Sequence, residues 1–195
     1  MGDWMMTHTG RHVDPLNVRA EDICLEDIAF ALSNLCRFGG HVRFYSVAEH
    51  CVRVCRAAPP ELQRAALLHD AAEAYIGDII RPLKRSIIVQ DADQCGGYAD
   101  REPIRDLEER IMCLIDDKWG DPPEGAGQPI ADLDYLDCIA AGIDAWGVDA
   151  ILGWHRGPEL ALNAQQWLYR APIKHMDPID ARDAFLAAAG KAGIN

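Results

Sequence analysis

Apolar residues recur along this chain at helical rather than alternating spacing, and a helical protein is the expectation. Residues 26–37 place Ile28, Leu32 and Leu35 about one turn apart and stop at Gly39-Gly40. A second helix is predicted from Ser46, where Glu49 three residues on makes a capping box; it continues through Val47, His50, Val54 and Cys55 to Pro59-Pro60. A third is predicted from about Glu61 to Tyr75, ending near Gly77. Residues 85–102, with Gln94-Cys95-Gly96-Gly97 in the middle, carry the least pattern and are read as a mobile loop over or near a site. Pro103 opens a helix through Ile104, Leu107, Ile111 and Leu114, and the Pro/Gly-rich run Asp121 to Gln128 reads as a loop. Ile130, Leu133, Leu136, Ile139 and Ile143 form a stripe on a helix over 130–146, and Asp177-Pro178 opens a final one. Strand signals are scarce. The expected fold is all-α, a helical bundle.

Length and composition bound this picture. A chain of 195 residues, 49% hydrophobic, is expected to form a single domain over 1–195. Its formal charge of −12 argues against a nucleic-acid polymer as partner. An anionic substrate would then need a local basic cluster, for which Arg81, Lys84 and Arg85 are candidates. The seven cysteines form no CxxC pair, and Met1 to Gly10 reads as neither signal peptide nor membrane span. Free thiols in the cytoplasm and no membrane association are therefore expected.

The candidate chemistry lies in Leu67-Leu-His-Asp-Ala-Ala-Glu-Ala-Tyr-Ile76. On a helix, Glu73 is one turn from both His69 and Asp70, so the three side chains share a face. The two turns before them (Leu62, Ala65, Ala66, Leu67, Leu68) are apolar, so the His-Asp pair emerges from a buried segment. Unpartnered ionisable groups are costly there, which favours a metal or an ion-pair network. An imidazole with a carboxylate suits Zn, Mn, Co or Fe. His50, amid Val47, Cys51 and Val54, is the candidate second histidine, with a satisfied core histidine as the alternative. For a final acid, Asp132, Asp134 and Asp137 compete on one helix, and spacing alone does not separate them.

The order His50, His69-Asp70, Asp132 resembles the H…HD…D signature of HD-domain metal-dependent phosphohydrolases. The likeness covers roughly residues 20–150, leaving 151–195 as a C-terminal helical extension. It is most specific over Tyr45-Ser-Val-Ala-Glu-His50 and over His69 to Lys84. Within that group the chain is similar to bacterial 5′-deoxynucleotidases and to phage dATP and deoxynucleoside triphosphohydrolases; Gly10-Arg-His-Val-Asp14-Pro-Leu and Leu35-Cys-Arg-Phe-Gly-Gly-His41 add to this.

The resemblance implies an HD-domain helical bundle with His50, His69, Asp70 and Asp132 as metal ligands. Asp132 is preferred because Ala131-Asp132 with Tyr135-Leu136 matches the pattern around the last ligand, although Ile139 stands where these proteins often carry a Glu. It implies Glu73 as catalytic acid/base, Asp78 at the sugar 3′-hydroxyl, Lys84 at phosphate, and Arg37-Phe38 holding phosphate and sugar. His41 reads either as a substrate contact or as a turn residue, and Arg81 joins the phosphate-side cluster. The cofactor expected is one divalent transition metal (Zn, Co, Mn, Fe or Ni), with Mg arriving on the substrate phosphates.

The activity expected is hydrolysis of a small-molecule deoxynucleotide in a bacterial or phage-infected cell. A dNTP triphosphohydrolase, with dATP favoured, comes first because the basic cluster and Gly-rich segment suit a long phosphate chain. The alternatives are a 5′-deoxynucleotidase acting on dNMPs and a non-catalytic nucleotide-sensing HD module. Trp146, Trp154 and Trp167 supply interface-type aromatic surface. With the assemblies of the proteins resembled, they lead to an expected homo-oligomer, a dimer or hexamer.

Overall fold

The burial of Ile28 and Leu32 sets α1 (Leu25–Asn34) against the middle of the molecule, and Val47, Cys51 and Val52 do the same for α2 (Val47–Ala57). This is a computed structural model and describes residues 4–90, 101–154 and 156–195. After α2 come α3 (Gln63–Leu68), α4 (Glu73–Ile76) and α5 (Arg81–Lys84). The longer α6 (Ile104–Trp119) and α7 (Gly127–Trp146) follow, then α8 (Val148–Ile151), α9 (Gly157–Arg170) and α10 (Pro178–Lys191). The architecture is an all-α bundle with two small antiparallel ribbons. β1 (Met5–Met6) pairs with β2 (His12–Val13), and β3 (Ile88–Gln90) pairs with β4 (Arg101–Pro103).

The flanks of the stretch expected to be a loop are thus partly regular: α5 and β3 precede it and β4 closes it. Its centre, residues 91–100 with Cys95, lies outside the described residues. The Ser46 cap forms as expected, its hydroxyl accepting from Glu49 N–H at 3.0 Å. The reciprocal half of the box does not form. Glu49 instead turns its carboxylate to the backbone N–H groups of Lys174 (2.7 Å) and Met176 (2.9 Å), clipping the segment before α10 onto α2.

One large core joins α1, α2, α3, α6 and α10 through Leu32, Val52, Leu67, Ile111 and Phe185. Its α10 residues Ala181, Phe185 and Ala189 are fully buried, so this helix is a structural member of the bundle rather than an extension beyond the core. A second cluster, built on Ile139, Ala140, Ile151 and Ala164, packs α8 and α9 against α7. Gly157 makes that turn possible, because a Cβ there would sit 2.0 Å from the backbone oxygen of Ile151. Backbone cannot swing aside as a side chain does. Gly157→Ala is therefore expected to cost about 1–3 kcal/mol, the usual range for overpacking, read as a lowered thermal midpoint. An unchanged midpoint would mean that the α8–α9 turn relaxes freely. Among the described residues no helix is long and apolar enough to cross a membrane.

Candidate metal centre and adjoining cavity

The helix expected from Glu61 to Tyr75 is broken at the residues that matter. After Leu68 the α-helical ladder gives way to tighter i to i+3 bonds, Ala71 N–H to Leu68 (2.8 Å), Glu73 to Asp70 (3.0 Å) and Tyr75 to Ala72 (3.0 Å). Such tightening is common where a helix changes direction. At this point His69 Nδ1 donates to the carbonyl of Ala66 at 2.9 Å. A carbonyl only accepts, so the proton is on Nδ1 and Nε2 carries the lone pair.

His50 is fixed the same way from another direction. Its Nδ1 lies 2.8 Å from Asp137 Oδ2, so that in the neutral ring Nε2 is the acceptor. The two Nε2 atoms face each other at 3.2 Å. Two lone pairs so placed repel unless a cation lies between them. Asp134 Oδ1 is 3.2 Å from His50 Nε2, and Asp70 Oδ2 is 3.3 Å from His69 Nε2 and 3.6 Å from His50 Nε2. Donor atoms about 2.1 Å from a shared ion stand about 3.0–3.4 Å apart, a spacing that the His50–His69, His50–Asp134 and His69–Asp70 pairs have and that the His50–Asp70 pair slightly exceeds. His50, His69 and Asp134 form one group with metal-binding spacing; Cys51, His69 and Asp70 form an overlapping one.

The acid expected to complete the set, Asp132, is elsewhere. It is 51% exposed, 3.4 Å from Arg156, and accepts from Gln128 at 3.1 Å. Asp134, two residues on, points the opposite way round α7 and reaches the histidines. Asp137, the third competitor, is fully buried beneath His50. Besides the imidazole it accepts from Arg53 Nε at 2.8 Å and from the Tyr45 hydroxyl. Burial opposes its ionisation, yet the His50 hydrogen bond, Arg53 and Tyr45 bring its pKa down to about 2. A carboxylate–imidazole–metal relay of this kind fixes the tautomer and strengthens the donor.

Arg37 spans the two candidate acidic ligands, 3.1 Å from Asp70 and 3.6 Å from Asp134. Burial pushes Asp70 up, but His69, Arg37 and His50 outweigh it and hold the carboxylate below its ordinary range. These groups floor a cavity of about 510 Å³, which also takes in Phe38, Glu73, Asp78, Arg81, Lys84, Tyr135 and Trp154. Glu73 is almost enclosed, and its Oε2 has no hydrogen-bond partner among the described residues. Burial, then Asp70 and Asp78, raises its pKa to about 9, against the pull of Arg37 and Lys84. Asp78 is likewise raised, chiefly by burial.

The basic cluster is divided in space. Lys84 stands 3.6 Å from Glu73 and is anchored to Glu108 at 2.5 Å; Arg81 lies over the Tyr135 ring at 5.7 Å; Arg85 is exposed and outside the cavity wall. His41 is exposed and also outside the wall, capping the turn Phe38–Gly40. Seven of the expected residues line the cavity (Arg37, Phe38, Asp70, Glu73, Asp78, Arg81 and Lys84), His50 and His69 adjoin it through Asp70, and His41 and Asp132 lie apart. Trp154 and Phe38 sit at one end, their rings 6.2 Å apart.

Comparison with known proteins adds kinship without a function. No family model matches this sequence. The uncharacterised protein YfdR of Escherichia coli is 39% identical over 121 residues, which is 62% of this chain and 60% of YfdR, so the match leaves two fifths of that relative uncovered. An uncharacterised protein of Rhodobacter capsulatus is 42% identical over 152 residues, 73% of this chain and 71% of the relative. At that identity and coverage the chain belongs to the same family as the Rhodobacter capsulatus protein.

Proposed function

We propose that the protein is a metal-dependent phosphohydrolase of the HD type, acting on nucleoside monophosphates as a 5′-deoxynucleotidase does. The observation that carries this reading is the pair of opposed Nε2 atoms 3.2 Å apart, beside two acids on the wall of a cavity that also holds Glu73, whose Oε2 has no hydrogen-bond partner among the described residues. His50, His69, Asp70 and Asp134 would hold the ion, which when bound neutralises phosphoryl oxygens and acidifies water. Glu73 supplies the mobile proton: held as the neutral acid, it gives its proton to the leaving 5′ oxygen, and the carboxylate so formed takes one from the attacking water. Lys84 beside it favours the carboxylate after the proton has left. Arg37 and Arg81 provide donors for the phosphate oxygens, with Arg suited to bidentate contact. Asp78 lies on the wall where a sugar hydroxyl would need an acceptor, and Phe38 with Trp154 offers a planar group a face.

Charge balance favours a monophosphate over the longer chain expected from the sequence. The cavity wall presents Arg37, Arg81 and Lys84 against Asp70, Asp78 and Asp134, with Glu73 as the neutral acid. Cations and anions then cancel, and a divalent ion leaves two positive charges. That matches a phosphate monoester dianion and falls short of a triphosphate. Arg85, the remaining cation of the cluster, does not line the cavity.

The test is incubation with Co²⁺ or Mn²⁺ and panels of dNMPs and dNTPs, with products resolved by anion exchange. Nucleoside and orthophosphate from monophosphates are expected. Nucleoside and tripolyphosphate from a dNTP would make the enzyme a triphosphohydrolase. Metal binding with no turnover of either panel would leave a nucleotide sensor.

A further inference from the structure

Behind the metal centre, between α2, the end of α9 and the segment clipped down by Glu49, lies a second cavity of about 310 Å³. Its wall carries four cations, Arg53, Arg56, Arg170 and Lys174, in a protein whose net charge is −12. Glu49 is the acid on that wall, and both its oxygens are committed to the Lys174 and Met176 N–H groups. Among the described residues Arg56, Arg170 and Lys174 meet no carboxylate. Arg56 and Arg170 each sit in the last turn of a helix, where the dipole favours a cation. That accounts for each residue separately but not for their convergence with Lys174 on one hollow.

Arg53 is what the dipole leaves unexplained. It is only 7% exposed, donates through Nε to Asp137 and through Nη1 to the carbonyl of Ala171, and has no partner for its enclosed Nη2 among the described residues. An unsatisfied guanidinium nitrogen at a cavity wall marks a missing acceptor. The hollow continues into a neighbouring one of about 300 Å³, with Trp167 common to both and the amides of Asn163 and Gln166 beyond. Indole and amides beside four cations suit a ligand with a planar ring system and a phosphate chain.

We propose that this hollow is an anion-binding site, separate from the catalytic cavity, for a nucleoside triphosphate or an equally charged organic phosphate. Four cations converge on this hollow, set against Glu49 on its wall and the Asp137 that Arg53 already faces. A chain of hydrogen bonds, Arg53 to Asp137 and Asp137 to His50, separates this hollow from the metal centre.

The experiment is calorimetric titration of the purified full-length protein with adenylyl imidodiphosphate, with inorganic tripolyphosphate as the ring-free control. One site is expected, weakened at least tenfold in the Arg170→Gln/Lys174→Gln protein and unaffected by Lys84→Gln. Arg170 and Lys174 are exposed, so circular dichroism should show both variants folded. Binding lost in Lys84→Gln would assign the anion to the catalytic cavity and overturn the proposal. Wild-type binding by the double variant, or no binding at millimolar probe, would overturn it too. Tripolyphosphate is expected to bind at least tenfold more weakly, and equal binding would remove the role of Trp167. Because every readout is binding, a protein that hydrolyses nothing would sink the proposed function and leave this site standing.

Discussion

Asp134→Asn is expected to strip the protein of its divalent ion, and Asp132→Asn is expected to leave it bound. The two residues are neighbours in sequence and both are acidic, so the contrast is a direct test of the centre. Asp134 Oδ1 lies 3.2 Å from His50 Nε2, whereas Asp132 pairs at the surface with Arg156. Losing a group that merely orients a ligand costs about 10- to 100-fold in metal affinity, so losing a ligand should cost more, about 100-fold or beyond. Asp137→Asn should fall in that lower range, since it disturbs His50 without touching the ion. Metal content by elemental analysis and competition with a chromogenic chelator would measure all three. Retention of the ion by Asp134→Asn with its loss from Asp132→Asn would reject the centre as drawn.

Glu73→Gln is expected to lower turnover by about 10²- to 10⁴-fold while the ion stays, because the variant keeps the shape of the side chain and loses its proton chemistry. A fully active variant would move the acid/base role elsewhere. The same substitution has a signature in stability. In the folded protein the Glu73 carboxyl is raised from 4.5 to about 9. Between those values the folded state holds a proton that the unfolded state has released, so stability declines as pH rises through that window. Glutamine has no proton to lose. In ion-stripped protein, the thermal midpoint should drop further between pH 5.5 and 8.5 in the wild type than in Glu73→Gln. Parallel pH profiles would show that Glu73 ionises as freely folded as unfolded.

Local patterns foretold the helices whose ends are locally determined. Ser46 caps α2 and Asp177-Pro178 opens α10 because the groups involved are adjacent in the chain. The break after Leu68 was not legible: no Gly or Pro interrupts the stretch from Leu62 to Tyr75, and the turn serves contacts to α2 and α7. The role of Glu49 was hidden for a similar reason, since its partners are more than a hundred residues away. The acid on α7 was within reach. Ile130, Asp134, Asp137 and Ala141 follow at intervals of four, three and four, one inward-facing line on which Asp132 does not fall. Reading the helix by its leucines and isoleucines alone concealed that the buried face carries two carboxylates. The basic cluster misled because Arg81, Lys84 and Arg85 are close in sequence but turn to different surroundings.

The position of α10 bears on the order in which this protein takes shape during synthesis. Phe185, Ala181 and Ala189 fill the space that α1 and α2 leave open, and the Glu49 clip holds the strand of chain leading to them. Both are contacts across most of the length of the chain, whose closure is slow compared with that of neighbouring helices. Until those segments are made, the face of α2 that α10 covers stays open, and His50 rides on α2. The nascent chain thus carries its histidines early but acquires a rigid seat for the ion only once α10 has emerged.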